Sequence, residues 1–192
     1  MIEKAKILQT GIISNEKYVL KKITYEYYKP DGSRHEQTRE VYEPGNAAVI
    51  LLYNKEKKTV ILTKQFRLPS FINGNNSGIL IEACAGKLEK ESPGDAIIRE
   101  TEEETGYKIN DVQQIFKAYM SPGAVTELLY FFIAEYNESM KVNEGGGANG
   151  EEENIDVIEL NIEQAVQMIK SGEIKDGKTI MLLQYIRLDN VL

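Results

Sequence analysis

The order of apolar runs and turn signals in this 192-residue chain predicts an α+β domain, a mixed central sheet with helices on two sides and an antiparallel hairpin in front of it. Three observations carry that class. Short apolar runs of strand length recur at residues 47–53, 59–63, 79–84, 115–118, 128–134 and 155–160. A helix with stop signals at both ends interrupts them between residues 93 and 106, and two further helical patterns close the chain. At this length a single domain buries roughly 70% of its unfolded surface without staples.

In chain order, residues 18–28 are rich in Tyr, Val, Ile and Thr, and after Pro30, Asp31 and Gly32 a second extended run continues to Tyr42. This is the pattern of a β-hairpin. Lys21, Lys22, Arg34, His35, Glu36 and Arg39 leave it too little apolar surface to fold alone, so it packs either on its own domain or on a partner subunit. His35 has no companion His or Cys at ligand spacing and reads as a polar strand residue.

Residues 47–53 and 59–63, separated by a charged turn, form two adjacent buried strands. Arg67 follows at a strand end, where a guanidinium can fork onto a diphosphate or bond a base; pairing with a nearby glutamate is the alternative. A loop of Ser, Asn and Gly occupies 70–78. The strand 79–84 then delivers the chain to Ala85 and Gly86, where a glycine lets the backbone come close enough for the Ala85 carbonyl to meet a metal and the Gly86 N–H a phosphate.

The loop 119–127 joins two strands, and Glu127 at its end is either an acceptor for substrate hydroxyls or a base edge, or a solvated turn acid. Residues 137–154 show no periodicity. Gly145, Gly146 and Gly147 there supply hinge freedom, and Glu151, Glu152 and Glu153 suggest a lid that brings acids to a cation; an acidic linker is the other reading. Asn161 with Gln164 forms a capping box for a helix that turns Ala165, Val166, Met168 and Ile169 inward and ends near Gly172. Lys178, near the start of the last helix, is a candidate phosphate or sugar contact, or else faces solvent.

Chemistry concentrates in residues 85–107. Ser92 and Pro93 start the helix as N-cap and first helical residue, and Gly106 ends it in the left-handed conformation. Glu100, Glu103 and Glu104 fall at i, i+3 and i+4 on one face, while Ile97 and Thr101 point to another that can pack on a sheet. Like charges at this spacing, near the negative end of the helix dipole, destabilise a helix. A hard divalent cation would compensate them, and a solvated face with Arg99 paired to Glu103 is the alternative.

Composition narrows the classes further. The net charge is −7 and the basic residues are scattered, which argues against a nucleic-acid partner. Cys84, the single cysteine, sits in an apolar run and reads as a buried thiol in a reducing compartment. The N-terminus lacks the apolar core of an export signal and no run reaches membrane-span length, so a cytoplasmic protein without a membrane partner is expected. No P-loop and no G-x-G-x-x-G is present, which removes the kinase and dehydrogenase readings.

Gly86, Glu91, Arg99, Glu100, Glu103, Glu104 and Gly106 together resemble the Nudix box, G-x5-E-x7-R-E-U-x-E-E-x-G-U, with U aliphatic. Four residues rather than five separate Gly86 from Glu91, and Thr101 and Tyr107 occupy U positions. The shortened loop is similar to that of the bacterial GDP-mannose pyrophosphatases within this superfamily, as are REVYEPGNAAVILLYN, KQFRLPSFINGNNSG, AYMSPGAVTELLYFFIAEY and EIKDGKT, so the resemblance spans nearly the whole chain.

The resemblance implies a Nudix α/β/α sandwich, with residues 1–44 as an N-terminal dimerisation arm and 45–192 as the hydrolase domain. It implies Mg²⁺, with Mn²⁺ as a possible substitute, held by the Ala85 carbonyl, Glu100, Glu104 and Glu153. Glu153, Glu103 and Arg99 are the expected catalytic set. Thr38, Arg39, Glu40, Arg67, Gly86, Lys87, Glu127, Glu152 and Lys178 are the expected substrate contacts, with the arm reaching into the other subunit of a homodimer. The implied reaction is cleavage of a nucleoside diphosphate sugar, GDP-mannose to GMP and mannose 1-phosphate. An ADP-ribose pyrophosphatase is the second reading and a non-catalytic nucleotide-sugar sensor the third. Retention of every box acid argues against the sensor.

Overall fold

The computed structural model describes residues 5–147, 154–189 and 191–192. The chain divides into two compact units, one made of the residues up to Asn46 with Tyr119–Leu128, the other of Ala47–Ala118 with Leu129–Leu192. Among the described residues no helix is long and apolar enough to cross a membrane.

The first unit is built on β1 (Ala5–Asn15), β2 (Val19–Tyr28) and β3 (Arg34–Glu43), an antiparallel sheet in that order. The hairpin β2–β3 is the one expected; β1 is an addition. Its apolar residues come in adjacent pairs, Ile7 with Leu8 and Ile12 with Ile13, which hides strand alternation in the sequence. The pairing with β2 shifts register between Ile7 and Gln9 and again between Ile12 and Ser14, and such bulges change which face a residue occupies. Part of the 119–128 connection belongs to this unit. Tyr42 N–H donates to the Ala124 carbonyl at 2.8 Å and Thr126 N–H to the Tyr42 carbonyl at 3.1 Å.

The second unit centres on β4 (Ala47–Asn54), buried along its whole length. It pairs antiparallel with β5 (Thr59–Phe66). The chain then makes the short helix α1 (Leu68–Ile72), β6 (Ile79–Glu82) and β7 (Cys84–Lys87). A one-turn helix thus begins the stretch expected to be wholly loop, because Pro69 in its first turn already has a helical φ. Next come α2 (Pro93–Thr105), β8 (Gln113–Tyr119), β9 (Leu128–Glu135) and β10 (Ile155–Asn161). Last are α3 (Ile162–Ser171) and α4 (Gly177–Leu188).

The sheet runs β10-β5-β4-β9-β8, with β6 on β5 and β7 on β4. It is mixed, because β4 runs antiparallel to β5 and β7 but parallel to β9. Ile97 of α2 joins Ile50, Leu52, Cys84 and Phe132 in one apolar cluster. Its complete burial contributes roughly 2–3 kcal/mol to holding the acidic helix on the sheet, beside the buried Ala96, Thr101 and Thr105. Asn161 caps α3 by accepting from the Glu163 N–H, and Gly172 ends it. Ala165 and Val166 are buried, Met168 and Ile169 partly so.

Candidate active site

Helix α2 forms as its punctuation predicts. Ser92 Oγ accepts from the Asp95 N–H at 3.2 Å, Pro93 opens the first turn, and Gly106 closes the last with φ 77°. Ile97 and Thr101 are buried against the sheet, so Glu100 and Glu103 are carried on a partly exposed side, with Glu104 buried next to β7.

One guanidinium organises them. Arg99 Nη2 lies 2.7 Å from Glu91 Oε1 and 3.0 Å from Glu100 Oε1, while Nη1 lies 2.7 Å from Glu103 Oε2. The bond to Glu91, together with the charges of Glu100 and Glu103, outweighs burial and holds Arg99 above the ordinary arginine value. The side chain is 40% exposed, so each pair contributes less than about 1 kcal/mol; its larger effect is to fix where the carboxylates point. Glu91 reaches Arg99 despite the shortened loop before it.

Strand β7 brings the backbone to these acids. A Cβ added at Gly86 would overlap the Glu100 carboxylate, so Glu100 lies directly on the Gly86 backbone and would have to move if any larger residue stood there. Ala85 N–H donates to Glu104 Oε2 at 3.3 Å, and Glu104 is buried. Lys87, the next residue of the strand, is exposed. Cys84 behind them is buried, and burial together with the neighbouring Glu104 charge pushes its thiol well above the usual range. It stays neutral and serves as packing.

The donor set here is all oxygen, which suits Mg²⁺ or Mn²⁺ and not a thiolate-seeking metal. Among the described residues no group of three or more His, Cys, Asp or Glu side chains could hold a metal ion. The expected donors among the described residues are the Glu100 and Glu104 carboxylates and the Ala85 carbonyl. Glu151, Glu152 and Glu153 lie outside the described residues. The glycines before them do not form the free hinge expected. Gly146 N–H donates to the Glu104 carbonyl at 2.9 Å and Gly147 N–H to the Glu103 carbonyl at 3.1 Å, and a Cβ at Gly145 would overlap the Glu104 and Thr105 backbone. The run satisfies the orphan carbonyls of Glu103 and Glu104 at the end of α2, and glycine is required at 145 because the two backbones touch there.

A second group of charges was not legible as a group. Glu82, on β6, is 4% exposed and accepts from Arg67 Nε at 2.7 Å and from Lys178 Nζ at 2.6 Å. Lys178 also lies 3.0 Å from Asp176 Oδ1. Burial would lower this ammonium, but Asp176 and Glu82 outweigh it and hold Lys178 above the ordinary lysine value. It is not the solvent-facing lysine that the sequence allowed. Thr179 Oγ1 accepts from Ala83 N–H at 2.7 Å, which ties the start of α4 to the break between β6 and β7. The available signal was Glu82 itself, a lone acid in an apolar strand, which requires a buried partner.

The other expected contacts belong to the first unit. Thr38 Oγ1 lies 2.9 Å from Thr24 Oγ1, and Arg39 donates to Gln37 Oε1 at 3.0 Å and to the Thr38 carbonyl at 3.1 Å. Glu40 is exposed beside them, and Glu127 is half-buried at the end of the connecting loop. Arg39 lines a cavity of about 390 Å³ with Ile23, Tyr25, Val41 and the loop residues from Pro122 to Thr126.

A NUDIX domain model matches residues 43–183. The chain belongs to the Nudix family. A second model, described as the GDP-mannose pyrophosphatase NudK N-terminal domain, matches residues 4–42. Full-length Nudix relatives include a GDP-mannose pyrophosphatase of Citrobacter koseri, 47% identical over 192 residues and covering 100% of both chains. Another, from Escherichia coli O1:K1 / APEC, is 48% identical over the same span, again 100% of each. A solved structure of an ADP compounds hydrolase aligns with a TM-score of 0.72 over 97% of this chain and 94% of that one, at 15% identity, and shares the fold. Nudix hydrolases generally need divalent metal ions, in keeping with the oxygen donors around Gly86.

Substituting Gly86→Ala forces Glu100 off the β7 backbone. The apparent affinity for Mg²⁺, read by titrating activity with the metal and by calorimetry on the purified protein, is expected to fall by about tenfold or more; an unchanged affinity would show that Glu100 does not act from this position.

Proposed function

We propose that the protein is a Mg²⁺-dependent pyrophosphatase, Mn²⁺ substituting, that cleaves GDP-mannose to GMP and mannose 1-phosphate. The observation that carries this reading is the similarity to GDP-mannose pyrophosphatases over the full length, N-terminal arm included. In this reading it acts in the cytoplasm, with Cys84 reduced.

The diphosphate of a nucleotide sugar is negatively charged and repels an incoming nucleophile. Arg67 and Lys178 would neutralise part of that charge, and the Gly86 N–H and Lys87 would hold a phosphate oxygen. Arg99 keeps Glu100 and Glu103 oriented. A divalent cation held by Glu100, Glu104, the Ala85 carbonyl and Glu153 would neutralise the remaining charge and acidify a water molecule. Glu153 accepts the proton of the attacking water, one P–O bond of the bridge breaks, and the two monophosphates separate. Glu127 and Glu152 contact the nucleoside or sugar. Product analysis across GDP-mannose, ADP-ribose and GDP-glucose, run in ¹⁸O-labelled water with Mg²⁺, tests the substrate and identifies the attacked phosphorus. Faster turnover of ADP-ribose than of GDP-mannose would replace this reading.

Glu153→Gln is expected to lower kcat by roughly 10²–10³-fold with little change in KM, whereas Glu151→Gln leaves both near the parent values. A crippled Glu151 variant would move the base to that position, and three active variants would return it to the box.

The arm is proposed to pair two copies in a homodimer, with Thr38, Arg39 and Glu40 serving the partner's site. Support comes from Ile7 and Ile12 of β1, which are 63% and 65% exposed, more apolar surface than a free strand ordinarily leaves in water. Sedimentation at micromolar concentration is expected to give a dimer; a fully active monomer would remove this part of the reading.

A further inference from the structure

Glu82 has no place in the metal site or in the proton transfer, yet its environment is costly to build. A carboxylate this buried is strongly destabilising unless charges and hydrogen bonds compensate it. It is compensated twice, from two different elements. Oε2 takes Arg67 Nε, just after β5, and Oε1 takes Lys178 Nζ, in the first turn of α4. The Lys178 end is braced in turn. Asp176 Oδ1 lies 3.0 Å from the same ammonium, and Asp176 Oδ2 caps α4 by accepting from the Thr179 N–H at 3.0 Å.

The two cations differ in access. The Arg67 side chain is 41% exposed and that of Lys178 15%. Among the described residues the hydrogen bond of Arg67 runs through Nε alone, so the terminal Nη1 and Nη2 groups are the ones that can fork onto an oxyanion. For stability alone, an apolar residue would serve as well as this buried pair. A carboxylate whose two oxygens each hold a different cation does what an apolar residue cannot. It keeps both positive groups, drawn from distant parts of the chain, at one spacing.

We propose that Glu82 is a positioning residue that clamps the Arg67 guanidinium and the Lys178 ammonium at the spacing that receives the diphosphate. This rests on the reading of Arg67 and Lys178 as substrate contacts. Glu82 does not touch the substrate; it acts through the two cations, and its effect falls on substrate binding.

The test combines kinetics with GDP-mannose and calorimetry with Mg²⁺ and inorganic pyrophosphate, whose binding does not depend on the identity of the nucleotide or sugar. Glu82→Gln keeps the size of the side chain and removes its charge. It is expected to raise KM and weaken pyrophosphate binding by about tenfold or more while kcat stays within about threefold. Added to Arg67→Ala/Lys178→Gln, the same change is expected to cost less than about twofold, because nothing remains to be positioned. Unchanged KM and pyrophosphate affinity in Glu82→Gln overturns the proposal, as does an undiminished loss in the background lacking both cations. If Glu82→Gln does not fold, Glu82→Gln/Lys178→Gln, which removes the buried cation with the anion, is compared with Lys178→Gln alone. A further tenfold rise in KM supports the clamp and no rise overturns it. A parent enzyme whose pyrophosphate binding weakens in Glu82→Gln but which does not turn over GDP-mannose would sink the substrate assignment and leave the clamp standing.

Discussion

The spread of one guanidinium over Glu91, Glu100 and Glu103 lets α2 carry acids that would otherwise repel one another near the negative end of a helix dipole. Much of the local architecture follows from holding that charge still. Burial of Ile97 and Thr101 fixes which face of α2 the acids occupy. Gly86 then admits the Glu100 carboxylate onto the backbone of β7, and β7 is itself held in register by β4, which pairs Ala48 with Gly86 and Val49 with Ala85.

The far end of the same helix is closed from outside. Gly106 turns the chain away, and the glycine run that begins at Gly145 returns to donate to the carbonyls of Glu103 and Glu104. The residue types that sequence reading assigns to a hinge are used here for close approach. Glycine serves both purposes, and only the neighbouring backbone tells them apart.

Charge of the opposite sign is gathered by a different device. Arg67, Glu82, Asp176 and Lys178 come from an inter-strand connection, a strand and the start of a helix, and they meet because Thr179 ties α4 to Ala83 between β6 and β7. Two residues further along the strand lies Ala85, an expected metal donor. The anchoring of the cations and the path of the chain into β7 therefore share one hydrogen-bonded junction.

Most of α2 could be read directly from the chain, because the relevant signals are local: a cap, a proline, a glycine, and acids at helical spacing. The strands of the central sheet were legible for the same reason, as short apolar runs bounded by turns. Strand β1 was not, since bulges at its paired apolar residues erase the alternation that marks a strand. The Glu82 network was not legible either. Glu82 and Lys178 are 96 residues apart in the chain, and a sequence shows that a buried acid needs a cation without showing which one. The sequence by itself determined the helix, its face of carboxylates and the family pattern around them, because these depend on contacts within a turn or two. Only the tertiary structure decided that Arg67 and Lys178 share one carboxylate and that the glycine run caps a helix, because both depend on which distant backbone the sheet brings alongside.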